Sequence, residues 1–438
     1  MALLVGCYDP SFQPGRPCTA DFYCPGDQQC DQTQSPPLCV EALGDAGITD
    51  GEPPDSSLMP DGPMIACGGG CPASMPVCEQ GTQTCRACIA DADCPSDVCH
   101  ELTGACVAEA EAIYLAPGGT GSACTRTAPC ETMENAGGAM SATRHTVKVA
   151  DGVYTDRIDL RARNGATSII VSGSDRSAAG PEFVVTAGSN KTQSNITVVI
   201  EGITIRGTEQ DGLETQGPTT LARVHIRDSG GTGVFSRGST LRIIDSRIES
   251  NASNGVVANA GVVEIERTSI LSNTNGGLRI DSGVAYSVIN SVIALNGTTG
   301  TTTVGGVRIL GTAPPSGPQV FKFNTVARNR ASFAVALAVE CGRPVTIVSS
   351  ILASFGGAFN PETTGSCSAT TSLYQANAPN AGGNITGEPM FVSATDSHVL
   401  PGSPAVDAAA PSGAPSVDID GDPRTGNDAP DIGADELP

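Results

Sequence analysis

Val262-Val263-Glu264-Ile265-Glu266-Arg267-Thr268-Ser269-Ile270-Leu271-Ser272-Asn273-Thr274-Asn275-Gly276-Gly277-Leu278-Arg279-Ile280 is the stretch that decides the fold. β-branched residues alternate with Glu, a Ser/Asn turn follows, and a second alternating run begins behind two glycines, so the segment reads as short strands without a helical period. It also recurs. Ile270 belongs to the series Ile205, Ile226, Ile248, Ile270, Ile293, Val326 and Ile351, with steps by subtraction of 21, 22, 22, 23, 33 and 25 residues. Seven places after the first four anchors stand Gly212, Gly233, Gly255 and Gly277, followed at once by Leu213, Val234, Val256 and Leu278. Three places after four of the anchors stand Asn251, Asn273, Asn296 and Asn329. A fixed period of this size marks a solenoid, in which one coil buries too little alone and its neighbours complete the core.

The register therefore predicts an all-β chain, a right-handed parallel β-helix with like residues stacked about 4.8 Å apart. The Asn positions become an internal ladder whose amides satisfy one another and the turn backbone, in preference to a ligand site. A leucine-rich repeat of similar period would space Leu as LxxLxL and carry a helical back; Leu is scarce here and the backs read as strand. The 53 glycines and the absence of Trp suit thin stacked coils.

The chain has 438 residues, 17 cysteines and a formal charge of -22. With no basic stripe to release counterions, nucleic acid is excluded as a partner class. So many cysteines point to an oxidising compartment. Leu4-Val5-Gly6-Cys7 resembles the lipobox of bacterial lipoproteins, which implies a lipid on Cys7 as the only membrane attachment. Only residues 1–6 precede it, so the resemblance implies a start upstream of Met1. Tyr8 in place of Asp implies export to the outer membrane or cell surface; without the lipid the protein would be secreted.

The remaining cysteines fall into even sets: Cys18, Cys24, Cys30, Cys39; Cys67, Cys71, Cys78, Cys85; Cys88, Cys94, Cys99, Cys106; and the candidate disulfide residues Cys124, Cys130, Cys341 and Cys367. Zinc at Cys85-Arg-Ala-Cys88 lacks a second coupled pair, so disulfides are favoured, with connectivity open. The first and third sets look like copies of one module and resemble Dickkopf-like cysteine-rich repeats. The organisation expected is a lipobox and tether over 1–17, a cysteine-rich module over 18–39, an acidic Pro/Gly linker over 40–66, cysteine-rich modules over 67–106, the β-helix over 112–375 and a terminal domain over 376–438.

The β-helix opening, Ile113-Tyr114-Leu115-Ala116-Pro117-Gly118-Gly119 followed by Val147-Lys148-Val149-Ala150-Asp151-Gly152-Val153-Tyr154, resembles that of pectin-lyase-like proteins. The resemblance implies a cap helix over Met133–Ser141, with Cys124 and Cys130 tying the preceding loop. The ordered motifs Glu388-Pro389-Met390-Phe391-Val392, Ser403-Pro404-Ala405-Val406-Asp407, Asp418-Ile419-Asp420-Gly421-Asp422-Pro423-Arg424 and Asp431-Ile432-Gly433-Ala434 resemble a choice-of-anchor Q domain. Two positions depart from it: Ala409 stands where Gly is usual, and Asp435 where an aromatic is usual.

Enzymes of the pectin-lyase-like fold carry acid, base and calcium residues on one outward strand face. Glu214, Phe235, Val257, Arg279 and Arg308 form one such column, and Gln216, Arg237, Asn259, Asp281 and Leu310 the next. A lyase needs a cation to stabilise the substrate carboxylate and a base near the acidic proton, so Arg237, Arg279, Asp281 and Arg308 are the catalytic candidates. The NTD, DD, GHG and RIK motifs of galacturonan hydrolases do not occur. His145 and His225 have no nucleophile beside them and read as strand or surface residues. Asp418, Asp420 and Asp422 resemble part of a calcium loop, the one cofactor the chain suggests; the competing reading is a turn in which Arg424 satisfies carboxylates such as Asp407 or Asp431. The expected function is a cell-surface lipoprotein presenting a β-helix for recognition or adhesion, its partner a cell-surface glycan or protein. A polysaccharide lyase on the same scaffold and a passive envelope component are the alternatives.

Overall fold

The computed structural model describes the strands at 28–31 and 38–41, and residues 70–437 apart from 80, 82–83, 101, 175–179, 186–187, 299–303, 332–337, 355–361 and 425–428. Cys7, residues 42–66 of the acidic linker and most of the first cysteine-rich segment lie outside the described residues. Among the described residues no helix is long and apolar enough to cross a membrane.

Each coil gives one strand to each of three parallel ladders, named faces A, B and C. In one coil these are Leu213–Thr215, Thr219–Ala222 and His225–Arg227. The next coil lays Val234–Ser236, Thr240–Ile244 and Arg247–Glu249 beside them in parallel register. Face C is an 11-stranded sheet, and faces A and B run together as an 18-stranded one. The architecture is the expected right-handed parallel β-helix. Pairing on face C continues to Ile385–Thr386, past residue 375.

The inward column of face C is Phe183, Ile205, Ile226, Ile248, Ile270, Ile293, Val326 and Leu352, all paired in register. Tyr154 extends it at the start, its ring stacked on Phe183 at 4.9 Å. Every member is buried, and each such side chain contributes roughly 1.5–3 kcal/mol. The last anchor differs from expectation: Val326 pairs with Leu352, while Ile351 pairs with Thr325 and points outward. Apolar character misleads here because both sides of the strand are covered. Ile351 is buried beneath the terminal segment, where a Cβ on Gly433 would lie 2.8 Å from its Cδ1.

Between faces C and A the expected Asn ladder is present. Asn251 Nδ2 donates to Asn273 Oδ1 at 2.8 Å, Asn273 to Asn296 at 2.9 Å and Asn296 to Asn329 at 3.0 Å. The same oxygens accept the backbone N–H of the preceding Asn, so each amide closes a turn as well. The recurring glycines follow from this crowding. A Cβ on Gly255 would stand 2.4 Å from Ile270 Cγ2 and 2.7 Å from Asn273 Nδ2.

A second polar ladder, at the corner between faces B and C, has no single residue type to announce it. Ser246, Ser291, Asn324, Ser350, Ser372 and Asn384 each accept the backbone N–H of the residue in the preceding coil. The residue just before the corner is left-handed in coil after coil: Arg223, Asp245, Arg267, Asn290 and Phe323 have φ between 43° and 53°. That conformation costs a non-glycine residue energy, so the stack enforces it.

At the start, a helix over Met133–Ala139 caps the core, its first turn closed by Thr132 accepting from Asn135 N. The Cys124–Cys130 disulfide ties the loop before it, and Cys341–Cys367 joins two late coils. The third cysteine set closes on itself as Cys88–Cys99 and Cys94–Cys106, while Cys71 bonds Cys85. This module is docked on the first coils. Val98 and Val107 share a buried cluster with Ala112 and Tyr114, and the Tyr114 hydroxyl donates to Ser96 O at 2.8 Å. Lys148 pairs with Asp91, Arg126 with Asp97, and His100 faces the buried Glu201 at 3.7 Å.

Candidate functional site

The strand register fixes which side chains leave face A. Its outward column runs Lys191, Glu214, Phe235, Val257, Arg279, Arg308 and Glu340. The inward neighbours Leu213, Val234, Val256, Leu278 and Val307 are buried, so the alternation read from the sequence holds along the whole face.

Arg279 binds Asp281 of its own strand through Nε–Oδ1 at 2.7 Å and Nη2–Oδ2 at 3.1 Å. Arg308 pairs with Glu340 two coils on from Arg279, at 2.5 Å. Arg237 reaches back one coil to Glu214 at 2.6 Å and lies over the Phe235 ring, 4.4 Å from its centroid. Burial works to raise the Glu214 carboxyl, but hydrogen bonds from Gln216 and Arg237 and the charges of Arg237 and Lys191 outweigh it and hold it below the ordinary carboxylate value. The face thus brings the four candidates Arg237, Arg279, Asp281 and Arg308 onto one strip. It does not leave them free, since each guanidinium is engaged by a carboxylate.

Guanidinium–carboxylate pairs of this kind present planar donors and acceptors side by side, suited to hydroxyls or carboxylates of a ligand. A guanidinium offers no acceptor for a proton. Between the charged ends lies an apolar shelf, half-buried Phe235 and buried Val257. The longest insert, 297–318, brackets the strand Val307–Ile309, so it enters and leaves face A around Arg308.

His225 lies outward on face C, where it pairs with Glu249 at 2.8 Å, and His145 precedes a face B strand. Neither meets a nucleophile among the described residues.

The terminal segment covers the late coils of face C. Val399, Ala405, Ala409 and Ile432 bury against Phe323, Ala327, Ile351 and Leu373. Gly433 N donates to Ser349 O at 3.0 Å, and Ala434 N to Thr325 Oγ1 at 3.1 Å. Within it Asp418 is fully buried and turned inward: its Oδ1 accepts from Asp420 N and Asp422 N, and its Oδ2 from Glu436 N, at 2.8 to 2.9 Å. Burial, with Asp420 and Asp422 nearby, pushes its carboxyl up to about 8. Arg424 does serve a carboxylate, but the partner is Glu436 at 2.8 Å; from Asp431 it takes only the backbone oxygen, at 3.2 Å. The Asp431 carboxylate instead accepts the N–H groups of Asp407 and Leu437. Arg424 Nη2 donates to Gly433 O and Asn290 Oδ1, and the guanidinium plane lies over Phe323. His398, which no local motif marks, hydrogen-bonds through Nε2 to the carboxylate oxygen Asp420 Oδ2 at 2.8 Å.

No protein-family model matches the chain, and no curated protein matches it. Solved structures do resemble it. The crystal structure of pectate lyase Pel9A aligns at 15% identity over 75% of this chain and 96% of that one, with a TM-score of 0.42. The complex of XylC with xylose aligns at 9% identity over 56% of this chain and 53% of that one, with a TM-score of 0.38.

Proposed function

We propose that the chain is a cell-surface lipoprotein, anchored through Cys7, whose face A binds a glycan without cleaving it. On this reading the cysteine-rich segments are Dickkopf-like modules and the terminal segment a choice-of-anchor Q domain. The disulfides support an oxidising, extracellular setting. The observation that carries the binding role is the pairing of every candidate arginine on face A with a carboxylate. Such a strip supplies orienting hydrogen bonds along a linear ligand, and its carboxylates Glu214, Asp281 and Glu340 are each held by a guanidinium.

The test is to incubate the purified, oxidised protein with acidic and neutral polysaccharides, with and without calcium, and to follow both retention and product masses. Retention of intact glycan, weakened roughly tenfold by Arg279→Gln or Phe235→Ala, is the expected result. Unsaturated or shortened products would establish the lyase instead, and absence of any retention would leave the passive envelope component. Acyl label entering the full reading frame but not its Cys7→Ala variant tests the anchor.

A further inference from the structure

Three side chains far apart in sequence converge in the terminal segment: His398, Asp420 and Asp435 each bring one ligand atom to within 4.8 Å of the others. They come from three stretches, the bridge Phe391–Val399, the turn at 418–422 and the end at 431–437. His398 Nδ1 is tied to Asp396 Oδ1, which also accepts His398 N at 3.0 Å, so Nε2 is left facing Asp420. A carboxylate behind the imidazole is how proteins orient a metal-ligating histidine. Asp435 is only 6% exposed, and its Oδ2 accepts Val399 N at 2.8 Å. The local charge is also lopsided. Asp396, Asp418, Asp420, Asp422, Asp431, Asp435 and Glu436 surround Arg424 and His398, and Arg424 spends its donors on Glu436, Asn290 and backbone oxygens.

We propose that His398 Nε2, Asp420 and Asp435 form a site for a divalent ion of the zinc or manganese class, oriented by Asp396, that pins the three terminal stretches together. A nitrogen donor with two carboxylates suits such an ion better than calcium, whose sites are built from oxygen. Ligand atoms about 2.1 Å from an ion stand about 3 to 3.4 Å apart, a spacing the three groups reach by small side-chain adjustment. On binding, the proton between Nε2 and Asp420 leaves to solvent and the nitrogen lone pair goes to the ion. His398 and Asp420 keep 28% and 17% of their side-chain surface open, which gives the ion a way in. Of the aspartates in the DxDGD turn it is Asp420 that joins the cluster, while both oxygens of Asp418 are already used on backbone N–H groups. The site lies on the cover of face C, so its failure leaves the face A reading untouched.

The full-length oxidised protein, stripped with a chelator, is titrated with ZnCl2, MnCl2 and CaCl2 by calorimetry and by thermal melting. One equivalent of Zn2+ or Mn2+ is expected to bind and to raise the melting temperature reversibly. His398→Gln and Asp435→Asn should each weaken binding about 100-fold, and Asp396→Asn roughly 10- to 100-fold. Mn2+ should broaden the NMR signals of one imidazole among the four histidines, a readout that needs no variant to fold. Absence of saturable binding, binding indifferent to these substitutions, tighter binding of Ca2+ than of either other ion, or broadening of a different histidine would each overturn the site.

Discussion

The coils from Ile205 to Asn296 and the terminal segment from Glu388 to Leu437 both bury polar groups, and they satisfy them in opposite ways. In the coils, neutral amides and hydroxyls at two corner positions per turn hand hydrogen bonds from one turn to the next, as from Asn251 to Asn273 to Asn296. In the terminal segment, Arg424 has a fully buried side chain, and a handful of partners found once in the chain share it. A repeated neutral pair risks one hydrogen bond at a time, whereas a single buried charge commits the whole segment to its partners.

The largest effect expected is therefore from Arg424→Met. It leaves Glu436 and several backbone oxygens without their donor, a loss of about 3–5 kcal/mol. Hydrogen exchange should rise sharply over 388–437 while the coils around Ile226 and Ile248 keep their protection; a uniform loss over the whole chain would break the contrast. Asn273→Ala should cost less, about 2 kcal/mol from orphaned groups above and below. Its exchange signature should be symmetric, spreading to the coils of Asn251 and Asn296. An effect confined to one side would show that the ladder does not couple neighbours.

The smallest effect is electrostatic. Burial favours a neutral Glu249, but hydrogen bonds from His225 and Arg247 and their charges outweigh it and hold its carboxyl at about 2. A folded value below the unfolded one stabilises the fold above the unfolded pKa, and that stability drains away as pH falls from about 4.5 toward 2. Glu249→Gln should remove on the order of 1 kcal/mol of this acid sensitivity, read from urea midpoints at pH 7 and pH 3. Equal midpoint losses on acidification in both proteins would discount the pair.

The same contrast explains what the sequence discloses. Asn251 through Asn329, the glycines and the Ile column are legible because each is restated every coil. The Ser246-to-Asn384 ladder is less so, since Ser, Thr and Asn share its position, and the left-handed corners at Arg223 or Phe323 carry none of the usual turn residues. Ile351 is misplaced by one residue because apolarity cannot tell a core from a covered outer face. On face A the candidate residues are readable from alternation, and so is the Arg279–Asp281 pair within one strand, but the carboxylate partners of Arg237 and Arg308 come from neighbouring coils. His398 is invisible, since only folding brings residues 398, 420 and 435 together. Asp435 does stand out, as a departure from its motif.

The one-way hand-over along the Asn ladder has an evolutionary corollary. Each turn offers the next the same groups it receives from the one before, so a splice joining Ile248 to the residue after Ile270 would rejoin like to like, with 22 residues removed. Within the ladders length changes by whole turns, which makes tandem duplication and deletion a natural mode of growth, while the insert at 297–318 lengthens a connection without breaking the register on either side.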